Sequence, residues 1–106
     1  MAWRSALSKN LQELRIALSQ TSPGSQGARD FVLSSYQELK KANPKLPILV
    51  RESEKAEAKL TARYDFGAET AVSVEGMDKA GITKQLEELV KRGESMPRST
   101  ESEGAL

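Results

Sequence analysis

The side chains of this sequence that could do chemistry are carboxylates, lysines and serines, because the chain holds no histidine and no cysteine. Without histidine it lacks the usual general base at neutral pH and the commonest metal ligand. Without cysteine there is no thiolate nucleophile, no disulfide framework and no thiolate cage for zinc or an iron–sulfur cluster. Four local patterns remain to be weighed. Glu87-Glu88 pairs two carboxylates, but adjacent positions on a helix do not converge on one site, so a solvated helix face accounts for them. Ser22-Pro23-Gly24-Ser25-Gln26-Gly27 is a glycine-bearing loop between a strand pattern and a helix pattern, where backbone N–H groups could hold an anion. It has neither the GxxxxGK(S/T) nor the GxGxxG spacing, and no lysine at the decisive place, so it reads as a tight turn and helix cap. Asp65-Phe66-Gly67 spells a kinase magnesium triplet without any of the other kinase signatures, and its glycine reads as a hairpin turn residue. Arg63, Tyr64 and Phe66 are too few aromatics, without a basic sheet face, for an RNA-stacking platform.

The elements that would position such groups fit one small domain of 106 residues. Hydrophobic residues make up 38% and charged residues 29%, a soluble composition without the roughly 20-residue apolar run of a membrane helix. No direct membrane span is therefore expected. A net charge of +1 and a pI near 8.0 provide no global basic field for nucleic acid. The charge is lopsided: residues 1–53 carry +4 and residues 54–106 carry −3. A two-signed surface suits a protein partner, and ordinary scatter is the alternative. Met1 to Gln12 is basic, serine-containing and free of acids, with Trp3, Leu7 and Leu11 as apolar anchors. It reads as a short organellar presequence or as an N-terminal arm.

Leu11 to Ser19 alternates like a strand, with Leu14, Ile16 and Leu18 on one face. Ser22 is a good N-cap and Pro23 fits the first helical position. Ala28, Phe31, Val32, Leu39 and Ala42 then recur at helical spacing until Asn43-Pro44 stops the helix. Leu46 to Arg51 is a short continuous apolar run, the pattern of a central strand covered on both faces. Glu52 to Lys59 reads as a charged linker with one helical turn at most. Leu60, Ala62 and Tyr64 alternate with polar residues, Phe66 to Glu69 supplies a turn, and Thr70 to Val74 returns. A last helix runs from the N-cap Asp78 to Arg92, burying Ile82, Leu86, Leu89 and Val90, with Gly93 at its C′ position.

The order β-α-β, linker, β-β, α predicts an α/β, thioredoxin-like fold with a mixed four-stranded sheet and helices on both faces. The expected organisation is an N-terminal arm over 1–10, the domain over 11–93 and a disordered tail over 94–106. In such a fold the reactive thiols sit just after the first strand, where this chain has Ser19 and its neighbours.

The strings Glu13-Leu14-Arg15-Ile16, SPGSQG-x-RDF (Ser22 to Phe31), Glu38 to Pro44, Leu46 to Glu52 and Ala62-Arg63-Tyr64 through Gly67 closely resemble the small thioredoxin-fold accessory subunits of mitochondrial complex I, the NADH:ubiquinone oxidoreductase. With the final helix the resemblance spans about residues 11–92. It implies a non-catalytic subunit with no cofactor of its own, peripheral on the matrix side of the mitochondrial inner membrane. There it would lie beside the large iron–sulfur subunit and serve assembly and stabilisation of the NADH-oxidising module. Two mitochondrial ribosomal proteins share the domain and form the competing reading, against which the low net charge argues. Many members carry cysteines where Ser19 and Ser53 stand, and a proline where Ala58 stands. Ser19 and Ser53 are thus degenerate thiol positions, expected either to survive as a hydrogen-bonded pair or to be unrelated polar residues. Arginine is enriched at interface cores, which makes Arg29 and Arg63 the candidate partner contacts, with solvated surface as the alternative.

Overall fold

Alternating burial fixes the sheet. The computed structural model describes residues 2–96; of the tail expected over 94–106, Glu94 still belongs to the last helix and residues 97–106 lie outside the described ones. In β1 (Glu13–Leu18), Leu14, Ile16 and Leu18 are buried while Glu13, Arg15 and Ala17 are only half covered. In β3 (Lys59–Arg63), Leu60 and Ala62 are buried and Lys59 and Arg63 exposed. β2 (Ile48–Glu52) runs parallel to β1, matching Leu14 to Ile48 and Ile16 to Val50. β3 pairs antiparallel with β1 and with β4 (Glu69–Ser73), in the order β2-β1-β3-β4. The α/β class and the mixed four-stranded sheet are those expected.

Two placements differ from expectation. β2 is an edge strand, not a central one. Its apolar run begins with Leu46-Pro47, ahead of the strand, and its last residues Arg51 and Glu52 are exposed. The long helices, α3 (Gln26–Ala42) and α4 (Lys79–Glu94), pack against each other on one face of the sheet rather than on both. Phe31 and Leu39 of α3 and Ile82, Leu86 and Val90 of α4 share one core with Leu14, Ile16, Leu60 and Ala62. The linker that would have had to cover the other face makes only a turn, in which the Ala56 N–H donates to the Ser53 carbonyl at 3.1 Å. That charged segment has no apolar stripe to dock, so no described element covers the second face.

Caps behave as the residues dictate. Ser22 Oγ accepts from the Gly24 N–H, starting a 3₁₀ turn over Pro23–Ser25 that leads into α3. Asp78 Oδ1 accepts from the Gly81 N–H at 2.8 Å and starts α4. Gly93 lies inside α4 rather than beyond its end, at a point where a Cβ would come 2.7 Å from the Asn10 carbonyl oxygen. The segment expected as an arm forms two short helices, α1 (Ala2–Ser5) and α2 (Leu7–Asn10), seated on α3 and α4. Leu7 is fully buried, Asn10 Nδ2 donates to the Val90 carbonyl at 3.0 Å, and Asn43 Oδ1 accepts from the Ser8 N–H.

Candidate functional site

Ser19, expected as a degenerate thiol position, is a hydrogen-bond-saturated serine. β1 ends at Leu18 and delivers Ser19, which is fully buried, into the turn before α3. Its Oγ donates to the Glu54 carbonyl at 2.9 Å and accepts from the Thr21 and Ser22 N–H groups at 3.2 and 3.0 Å. A hydroxyl has one donor and two acceptor sites, so this one is fully used. The Ser19 N–H donates to Oγ of Ser25, itself buried, at 2.9 Å. Arg29, on the first turn of α3, closes the loop from outside: Nη1 donates to the carbonyls of Ser19 and Ser22 at 2.8 and 3.0 Å, and Nη2 to Gln26 Oε1. With no base beside it, Ser19 Oγ cannot be raised to a nucleophile. What the arrangement does is lock the β1–α3 turn onto the β2–β3 linker.

Ser53 is near but not joined to this cluster. Its N–H donates to the Leu18 carbonyl at 3.1 Å, while its side chain is exposed and makes no hydrogen bond with Ser19. Ala58, where the resemblance led a proline to be expected, is buried, and its N–H donates to Glu75 Oε1 at 2.9 Å. Proline has no N–H to give that bond.

Arg63 lies at the other end of the strands, on the open face. It stands between Glu13 and Glu69 in register, yet both carboxylates are taken by Arg15, through Nε to Glu13 at 2.6 Å and Nη2 to Glu69 at 2.9 Å. The hydrogen bond that Arg15 donates to Glu13 and the charge of Glu69 raise the Arg15 pKa further. Arg63, and the neighbouring outward residues Arg51 and Lys59, form no ion pair among the described residues. Between them the face is made of Ala17, Leu49, Thr61, Ala71 and Ser73.

Sequence reasoning offered Arg29 and Arg63 each as a partner contact, and the structure gives them different roles: Arg29 clamps its own loop, and Arg63 forms no ion pair among the described residues. It missed Phe66. In the β3–β4 turn Phe66 takes left-handed angles (φ 63°, ψ 23°) with its ring 67% exposed. The signal was available in the order Asp65-Phe66-Gly67, which puts an aromatic where a two-residue turn with positive φ prefers asparagine. It also missed Leu33, 85% exposed on α3, which borders a groove of about 270 Å³ shared with Leu18, Val32 and Val50. Tyr64 points the other way, into the core, and its hydroxyl donates to the Leu89 carbonyl at 2.7 Å. Among the described residues no group of three or more acidic side chains is placed to hold a metal ion.

Comparison with known proteins places these features in a family. Residues 28–79 match the profile described as the mitochondrial ribosomal protein L51 / S25 / CI-B8 domain. The chain is 50% identical over 93 residues to NADH dehydrogenase (ubiquinone) 1 alpha subcomplex subunit 2 of Arabidopsis thaliana, covering 88% of this chain and 96% of that protein. The protein of the same name from Mus musculus is 48% identical over 80 residues, covering 76% of this chain and 81% of its own length. An NADH-ubiquinone oxidoreductase 10.5 kDa subunit of Neurospora crassa is 38% identical over 91 residues, or 86% and 97% of the two chains.

Proposed function

This chain belongs to the family of NADH dehydrogenase (ubiquinone) 1 alpha subcomplex subunit 2, and on that footing we propose that it is an accessory subunit of mitochondrial respiratory complex I. The observation that carries the proposal is near full-length similarity to relatives named as subunits of that enzyme, from a plant, an animal and a fungus. The finer reading is a peripheral subunit on the matrix side of the inner membrane. It would contact other matrix-arm subunits, the large iron–sulfur subunit among them, and stabilise the NADH-oxidising module without catalysing a step. The described residues support that assignment: their one buried hydroxyl at a thiol position is saturated, and no described helix is long and apolar enough to cross a membrane. A small domain contributes to such an assembly by burying roughly 800 Å² per partner. Because it binds only the folded neighbour, it shifts that neighbour's folding equilibrium.

Blue-native separation of mitochondrial membranes, with immunodetection of this chain, tests the reading. The chain is expected to migrate with the band that stains for NADH dehydrogenase activity, and its depletion to lower the amount of assembled NADH-oxidising module. Co-sedimentation with ribosomes instead would move the function to translation.

A further inference from the structure

Phe66 is held in a conformation that the fold itself does not reward. Bulky residues rarely adopt positive φ, and here Phe66 (φ 63°) and Gly67 (φ 77°) adopt it in succession. Asparagine or glycine would make the same turn without the steric cost. The ring is no part of the hydrophobic core and stands largely in solvent. Backbone strain at an aromatic that lies outside the hydrophobic core and is mostly exposed points to a contact outside the molecule.

The surroundings say what kind. The hairpin that Phe66 heads begins at Arg63, on the sheet face that no described helix covers. Among the described residues Arg63, Lys59 and Arg51 form no ion pair there, Arg15 having taken both Glu13 and Glu69. A phosphate backbone laid across the face would meet those two carboxylates, whereas a protein surface can place its acids opposite the free cations alone. Aromatic and arginine side chains are the usual anchors of such surfaces.

We propose that the open sheet face, with Phe66 at its rim, is the docking surface for a neighbouring protein subunit that offers an apolar pocket to the Phe66 ring and carboxylates to Arg63, Lys59 and Arg51. The inference rests on the reading of the chain as a complex I subunit and names the surface through which it binds.

The test replaces the full-length chain in cells depleted of it. Incorporation into the complex is read on blue-native gels, and thermal unfolding is read on the purified full-length variants. Phe66→Asn relieves the backbone strain, so its unfolding temperature is expected to equal or exceed that of the unaltered chain. Incorporation is expected to fall by about tenfold or more, the scale of an anchor residue. The double variant Arg51→Glu/Lys59→Glu is expected to keep its fold and lose incorporation severalfold. Normal incorporation of either variant overturns the proposal, and so does a lowered unfolding temperature for Phe66→Asn, which would make the ring an internal support. If the unaltered chain itself fails to migrate with the complex, the functional reading falls and takes the docking surface with it. If the unaltered chain migrates with the complex and the variants do so equally, the docking surface alone falls.

Discussion

At the scale of single residues, Ser19 is spent on hydrogen bonding. Ser19 makes three side-chain hydrogen bonds from a fully buried position, and removing its hydroxyl leaves two N–H groups and a carbonyl without partners. Ser19→Ala is expected to destabilise the chain by about 2 kcal/mol. Ser53→Ala, at an exposed side chain without a hydrogen bond, is expected to stay within about 0.5 kcal/mol. Denaturant unfolding of the two variants checks the contrast, and equal effects would mean that Ser19 is not the keystone of its turn. The sequence makes Ser19 legible as the place after the first strand. It hides the partner, because the Glu54 carbonyl belongs to the backbone and no side-chain pattern announces it. Arg29 is hidden in the same way, its guanidinium spent on two carbonyls of its own loop. Tyr64 gives a pH signature. Burial pushes its phenol above the ordinary value, with the charge of Arg92 and a hydrogen bond involving Thr70 pulling part of the way back. The folded state thus favours the neutral phenol. That contribution is full below the unfolded-state pKa of about 10 and is lost as the pH rises through the higher folded value. Unfolding free energy should therefore decline above about pH 10 in the unaltered chain and decline less in Tyr64→Phe, relative to their values at neutral pH. At neutral pH that variant should be weaker by about 1 kcal/mol for the lost bond to Leu89.

At the scale of elements, whatever depends on local periodicity is legible and whatever depends on a distant neighbour is not. Alternation gives β1 and β3, the side chains of Ser22 and Asp78 mark the helix starts, and the buried stripe of α4 is the expected set of Ile82, Leu86, Leu89 and Val90. The place of β2 at the sheet edge and the stacking of both long helices on one face are set by how elements meet, which no single segment encodes. Gly27 shows the same division. In sequence it looks like a loosening of the helix start. In the fold it is the point where α3 touches the backbone before α4: a Cβ would fall 1.8 Å from the Met77 carbonyl oxygen and 2.9 Å from the Asp78 Cα. Backbone cannot step aside as a side chain can. Gly27→Ala is therefore expected to cost about 3 kcal/mol through overpacking, despite alanine's better helix propensity. Gly81→Ala, whose Cβ would meet Asp78 Oδ1 at 3.3 Å, should be neutral or stabilising by up to about 1 kcal/mol. Thermal unfolding of the pair decides it, and a stable Gly27→Ala would mean that the α3–α4 contact is looser than the structure has it.

At the scale of the molecule, the chain is a half-covered sheet whose covered half depends on its first residues. The segment ahead of β1 looks dispensable in sequence, because any helix in it is too short to stand alone. In the fold its helices need not stand alone. Leu7 is fully buried, Trp3 packs against the core, Asn10 is bonded to α4, and Asn43 at the end of α3 binds both Ser8 and the Arg4 carbonyl. Removing residues 1–10 would uncover the seam between α3 and α4 and strip the buried Asn43 of two partners. Burial of one large apolar side chain is worth about 2 kcal/mol and each stranded polar group a further 1 kcal/mol or so. A loss of about 4 kcal/mol is then expected, from a domain whose total stability is of the order of 5–10 kcal/mol. For a chain of this size that is a fall of roughly 15–30 °C in unfolding temperature. Calorimetry on the full chain and on one starting at Leu11 measures it directly. An unchanged unfolding temperature would return the segment to the status of an arm. A large fall would make it as much a part of the folded unit as β1, and would place the molecule's incomplete side at the open sheet face, opposite the helices that this segment ties together.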